Sequence, residues 1–183
     1  MLQHAYEMLY RANFAPCTLG DSCLQSPKCH PRFTPAPNAH LHITDSCCVM
    51  LFNQSELLGH LPNLSATPRT NAAKPDFILA SDLKRLPGPN ELGSGGRISP
   101  DLHPVRALSV WRFVEACMLL LQRSRRYGGY WVSHLCYIAL YVDKNKDVFD
   151  ENDLEPVHKA AFGVIRSGKG RLRDVLGAPQ SEI

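Results

Sequence analysis

The chain lacks any apolar run long enough to span a bilayer comfortably. The longest, Ala107 to Leu121, is interrupted by Arg112 and Glu115 and reads as a buried helix of a soluble protein. The opening residues MLQHAYEMLY have no basic region followed by an apolar core, so no signal peptide is expected. Seven cysteines are an odd number, which disfavours a disulfide framework and makes a reducing compartment the expected home. A P-loop, a dinucleotide fingerprint and a nucleophile elbow are also missing, and nothing singles out a Cys-His nucleophile, so the chain is read as non-catalytic. Charge of one sign is scarce too. With 20 Lys and Arg against 17 acids, the net +3 does not by itself call for a nucleic-acid partner.

The chain holds 14 prolines and 12 glycines, and the prolines concentrate before residue 105. A short helix is expected over residues 1–13, from the near-helical spacing of Leu2, Tyr6, Leu9 and Tyr10. Between Ala15 and His42, Pro16, Pro27, Pro31, Pro35 and Pro37 exclude regular helix through most of the stretch, leaving an irregular loop that needs a staple. Thr44 or Asp45 can then cap a helix running to about Leu61, with Val49, Met50, Phe52, Leu57 and Leu58 as its apolar residues. Residues 62–104 read as a flexible Pro/Gly-rich linker in which only Phe77 to Leu86 looks able to form a short helix. From Val105 the composition changes to long apolar runs, free of Pro and Gly as far as Tyr127. Helices are expected at Val105 to Tyr127, Tyr130 to Val142 and Asn152 to Ser167, with a short last one at Leu172 to Leu176. Gly128-Gly129 separates the first two of these, and Gly168 with Gly170 ends the third. No strand alternation emerges. The expected class is mainly α, with a small zinc-stapled segment and following helix at 1–61, a linker at 62–104 and a helical domain at 105–183.

The staple is suggested by Cys17, Cys23 and Cys29, equally spaced with five residues between neighbours, and by His30, His40 and His42 after them. Three thiolates and an imidazole can close a tetrahedral zinc site in a segment too short to fold alone. The fourth ligand is open among the three histidines. His30 directly follows a ligand and would point away, so His40 is favoured narrowly over His42. The plainer reading of the same residues is a set of scattered free thiols. Cys47 and Cys48 read as incidental or core-facing, and Cys117 and Cys136 as small core residues.

The order of these features resembles the filovirus minor nucleoprotein, a zinc-binding viral transcription activator, and more distantly the pneumovirus antiterminator. The resemblance is carried by the Cys/His segment, by Ile43-Thr44-Asp45 with Val49-Met50-Leu51-Phe52, and by Arg125-Arg126-Tyr127 followed by Val132-Ser133-His134-Leu135-Cys136. Glu155-Pro156-Val157, Ser167-Gly168-Lys169-Gly170 and Asp174-Val175-Leu176 continue it. It implies a three-Cys, one-His zinc site and a non-catalytic cofactor of viral RNA synthesis, found in the nucleocapsid and host cytoplasm. Such a protein would bind RNA through the finger and basic groups, and bind nucleoprotein or itself through the helical domain. The candidate RNA contacts are Lys28, Arg32, Arg123, Arg125 and Arg126.

Two features compete with this picture. Asp143, Asn145 and Asp147 alternate after an apolar helix and resemble the start of a calcium-binding EF-hand, but Val148 stands where that loop needs glycine and Leu154 where it needs an acid. An acid-rich turn with Asn152 capping the next helix explains the same residues. The basic groups Arg123, Arg125 and Arg126, and Arg166, Lys169, Arg171 and Arg173, can meet phosphates, or can simply sit solvated at helix ends. A calcium-responsive helical adaptor and a metal-free interaction protein are the alternatives that follow.

Overall fold

The computed structural model describes residues 2–18, 23, 36–44, 47–59, 75–86, 88, 97–101, 105–123, 128–143 and 146–177. The chain divides into two units, Met1–Leu61 and Pro62–Ile183.

The first unit opens with α1 (Leu2–Arg11). Leu2, Tyr6 and Leu9 are its half-buried positions, at the spacing expected of an amphipathic helix. The turn that follows it passes through Asn13, whose φ of 65° is a left-handed conformation that Asn tolerates better than most residues. The turn delivers the chain into β1 (Ala15–Pro16), which pairs antiparallel with β2 (Ala39–Thr44), and β2 pairs antiparallel with β3 (Cys47–Leu51).

This small sheet corrects the expectation of a helix from Thr44 or Asp45 to Leu61. Residues 39–51 form two strands, and only Gln54–Leu57, here α2, is helical. The strand period was hidden because the face of β2 opposite Leu41 carries His40 and His42, which read as neither polar nor apolar surface. Leu41 is fully buried and lies opposite Val49, so one face of the hairpin makes a core. Asn38 closes its open end: its amide donates to the Leu51 carbonyl at 2.9 Å, and its side-chain oxygen accepts from the Asn53 amide at 2.6 Å. Asn53 in turn caps α2 through the Ser55 amide.

The second unit begins, among the described residues, with Pro75 and Asp76. Phe77–Leu79 forms β4, not the start of the helix expected over Phe77 to Leu86, and pairs antiparallel with β5 (Arg106–Leu108). Then follow α3 (Val110–Arg123), α4 (Gly128–Tyr137) running on into a π-helical turn at Ile138–Val142, a 3-10 turn at Glu151–Asp153, α5 (Pro156–Ser167) and α6 (Leu172–Leu176). Mainly α is therefore the right coarse class, with two small sheets added. The first expected helix is shorter at its start because residues 106–108 are drawn into the ladder with β4.

Val114, Cys117 and Met118 of α3, Trp131 and Leu135 of α4, and Phe149, Leu154, Ala161 and Phe162 form the core of this unit. Phe149 and Phe162 meet edge to face at 5.2 Å. Burial pushes the Cys117 thiol up to about 12, so it is an inert core residue as its apolar helix suggested. Pro156 at the start of α5 and Gly168 at its end, the latter at φ 64°, show the expected helix punctuation.

Candidate metal centre

In a strand, residues two apart share a face. His40 and His42 therefore project from the same side of β2, while Leu41 turns to the core. Pro16 lies opposite Leu41, so the next residue, Cys17, leaves β1 at the level of His40. Cys23 comes in from the connection and is buried, with only 1% of its surface exposed. Together Cys17, Cys23, His40 and His42 place one ligand atom each within 4.8 Å of one another, the only such group among the described residues.

The distances suit zinc. Bonds of about 2.3 Å to sulfur and about 2.0 Å to nitrogen at the tetrahedral angle set those two atoms about 3.5 Å apart. Cys23 Sγ and His42 Nε2 lie 3.5 Å apart. The two imidazole rings stand 5.6 Å apart at 62°, edge-on and not stacked, as two ligands approaching one centre do. Two thiolates and two neutral imidazoles also balance the charge of a divalent ion, so the centre can be half-buried without a counter-ion. A bound zinc would supply no reaction chemistry with all four positions taken by protein; it would tie the β1–β2 connection to the sheet.

Of the expected ligands, Cys17, Cys23 and His40 come together. Cys29 and His30 lie outside the described residues. His42 joins His40 in the group instead of competing with it, so that four donors come together among the described residues. The signal for His42 was legible: a His-x-His pair is an ideal bidentate clip once its segment is a strand, and the segment had been read as irregular loop. Cys48 and Met50, cross-strand partners of His42 and His40, lie on the same side of the sheet.

Of the acids in the calcium reading, Asp143 and Glu151 are paired with cations. Arg166 reaches Glu151 at 2.7 Å and Asp143 at 3.4 Å, and Lys146 also meets Asp143 at 3.4 Å. Burial opposes the Arg166 charge, but Glu151 and Asp143 outweigh it and raise the pKa. Asp150 caps the 3-10 turn through the Asn152 amide, a role the sequence had given to Asn152 in the next helix. Among the candidate RNA contacts, Arg123 ends α3, while Lys28, Arg32, Arg125 and Arg126 lie outside the described residues.

No protein-family model matches this chain, and no curated protein or solved structure is significantly similar to it. Among the described residues, no helix is long and apolar enough to cross a membrane.

Proposed function

We propose that this is a non-catalytic binding protein, a cofactor of RNA synthesis, whose N-terminal unit is folded around one structural zinc ion. The observation that carries the zinc is the convergence of Cys17, Cys23, His40 and His42 on one place.

The distribution of charge favours a division of labour. Residues 1–61 hold Arg11, Lys28 and Arg32 against Glu7, Asp21, Asp45 and Glu56, so the metal unit is not itself basic and suits a protein partner better than a phosphate backbone. The cationic excess lies in residues 62–183. There the Gln122 side-chain amide donates to the Leu176 carbonyl at 2.8 Å and holds the end of α3 against α6. Arg123 thus shares one end of the unit with Arg171 and Arg173, both exposed. This end is the RNA-facing surface in our reading; nucleoprotein, as in the viral family the sequence resembles, is the proposed protein partner.

Elemental analysis of metal-replete protein tests the first part: one zinc per chain is expected, and its absence would remove the metal from the account. Calcium in its place would support the adaptor reading. For the second part, single-stranded RNA binding should fall with salt, and Arg123, Arg171 and Arg173 changed together to Ala should weaken it and flatten that dependence. Wild-type protein without salt-dependent RNA binding would leave a protein-only adaptor.

A further inference from the structure

Helix α4 and the π-helical turn that extends it carry no acid, lysine or arginine: from Tyr127 to Val142 the sequence is YGGYWVSHLCYIALYV. A helix on the surface normally meets water with charged side chains, and one that is apolar all round is normally enclosed. Here the enclosure is one-sided. Trp131 and Leu135 are buried, whereas Gly129, Ser133, Tyr137, Leu140 and Tyr141 are exposed, at the three- and four-residue spacing of a single face.

The large side chains gather at the C-terminal end of that face. Tyr137, Leu140 and Tyr141 are 62%, 64% and 73% exposed, which amounts to roughly 400 Å² of mostly apolar surface, half of the ~800 Å² that one side of a stable interface buries. Tyr137 and Tyr141 already stack on each other, ring centroids 5.7 Å apart at 29°, so little of their side-chain freedom remains to be lost on docking. The other end of the face is small. A Cβ added to Gly129 meets nothing within 4 Å, and the Ser133 hydroxyl donates to the Tyr130 carbonyl at 2.7 Å, which leaves it no hydrogen to offer a partner.

Charge and shape together select the occupant. A face without cations or anions gains nothing from a phosphate backbone or from an acidic or basic peptide, and it lacks the cationic polar side with which an interfacial helix holds a membrane. A two-fold contact between copies can bring like charges together, and a face that has none escapes that cost. Antiparallel alignment about a two-fold axis level with Leu135 lays Tyr141 of each copy over Gly129 of the other, and Tyr137 over Ser133, large on small. Parallel alignment would set tyrosine on tyrosine and bring together the two segments holding Arg123, Arg125 and Arg126, which come just before the helix in the chain.

We propose that the chain forms a two-fold dimer through this face, with the α4 helices of two copies packed antiparallel. The dimer depends on neither the zinc nor the RNA reading.

Sedimentation velocity of the full chain in reducing buffer, over a range of concentrations, reads the self-association, and a reversible monomer–dimer equilibrium is expected. Tyr137→Ser/Tyr141→Ser should weaken it at least about tenfold. So should Gly129→Gln, whose side chain has open space in the monomer but takes the place of the partner's Tyr141. Tyr10→Ser, which changes a similarly exposed tyrosine of α1, should leave the equilibrium unchanged. Orientation is read by combining Gly129→Gln with Tyr141→Ala: removing the ring makes room for the glutamine, so the combined loss should be smaller than the product of the two single losses. A chain that stays monomeric overturns the proposal, as does a dimer that these substitutions in α4 leave intact, or assembly beyond the dimer as concentration rises. Multiplicative losses in the combined variant overturn the antiparallel alignment. If the double tyrosine variant loses its helical circular dichroism, Gly129→Gln decides, because replacing glycine inside a helix favours the helix.

Discussion

Arg112 Nε lies 2.7 Å from Asp76 Oδ1 across 36 residues of sequence, while Nη1 of the same guanidinium reaches Glu115 Oε2 at 2.8 Å. Glu115 is buried, and its other oxygen accepts from the Glu155 amide at 3.3 Å and faces His158 Nδ1 at 3.8 Å. One arginine thus connects the strand region to α3 and, through Glu115, to the start of α5.

Arg112→Ala should therefore cost more than Asp76→Ala. The first leaves a buried carboxylate with reduced compensation, for which about 2–3 kcal/mol is expected; the second removes a half-exposed partner, for about 1 kcal/mol. Urea unfolding followed by circular dichroism measures both. A cost for Asp76→Ala equal to that of Arg112→Ala would show that the Glu115 contact contributes little.

The same contact bears on where the helical unit begins. Residues 75–183 should form a more stable fragment than residues 105–183, because the shorter one loses the β4–β5 ladder, the Asp76 pair and the burial of Ile78. A difference of about 2 kcal/mol, or roughly 10 °C in melting temperature, is expected. Equal melting temperatures would mean that residues 75–104 add nothing to the fold.

At the metal centre, His40→Ala and His42→Ala should each weaken zinc binding by a large factor, as should Cys17→Ser and Cys23→Ser, while Cys29→Ser should leave it intact. Competition with a chromophoric chelator gives the affinities. Loss of binding in Cys29→Ser with retention in His42→Ala would restore the three-cysteine site.

His134 supplies a pH dependence. Burial lowers its pKa from the model-compound value of 6.5, and its ring packs edge-on against Tyr130 at 4.5 Å and Phe113 at 5.8 Å. The unfolded chain then takes up a proton more readily than the folded one. This contribution is fully present above pH 6.5 and is lost as pH falls through the folded-state value. Denaturant unfolding read by tryptophan fluorescence should show a decline below about pH 6.5 that is shallower in His134→Phe. Identical pH profiles for the two proteins would remove His134 from the explanation.

Much of the second unit was legible along the chain. Helical periodicity marked α3, α4 and α5, Gly168 marked the end of α5, and the limits of α6 were read residue for residue at Leu172 and Leu176. These signals are local, arising from side chains within a few residues of one another. Cys17 and Cys23 were likewise visible as candidate ligands from residue type and spacing alone.

Tertiary structure decided what depended on distant partners. Residues 47–51 read as helix in isolation because their apolar run has no evident period; pairing with β2 makes them a strand. Residues 77–79 find their partner in 106–108, which no nearby residue announces. The metal set followed from the same cause. The sequence supplied a His-x-His pair and offered its members as rivals, and once β2 is a strand its two-residue period puts both imidazoles on one face, beside the cysteines that β1 and the connection bring to it.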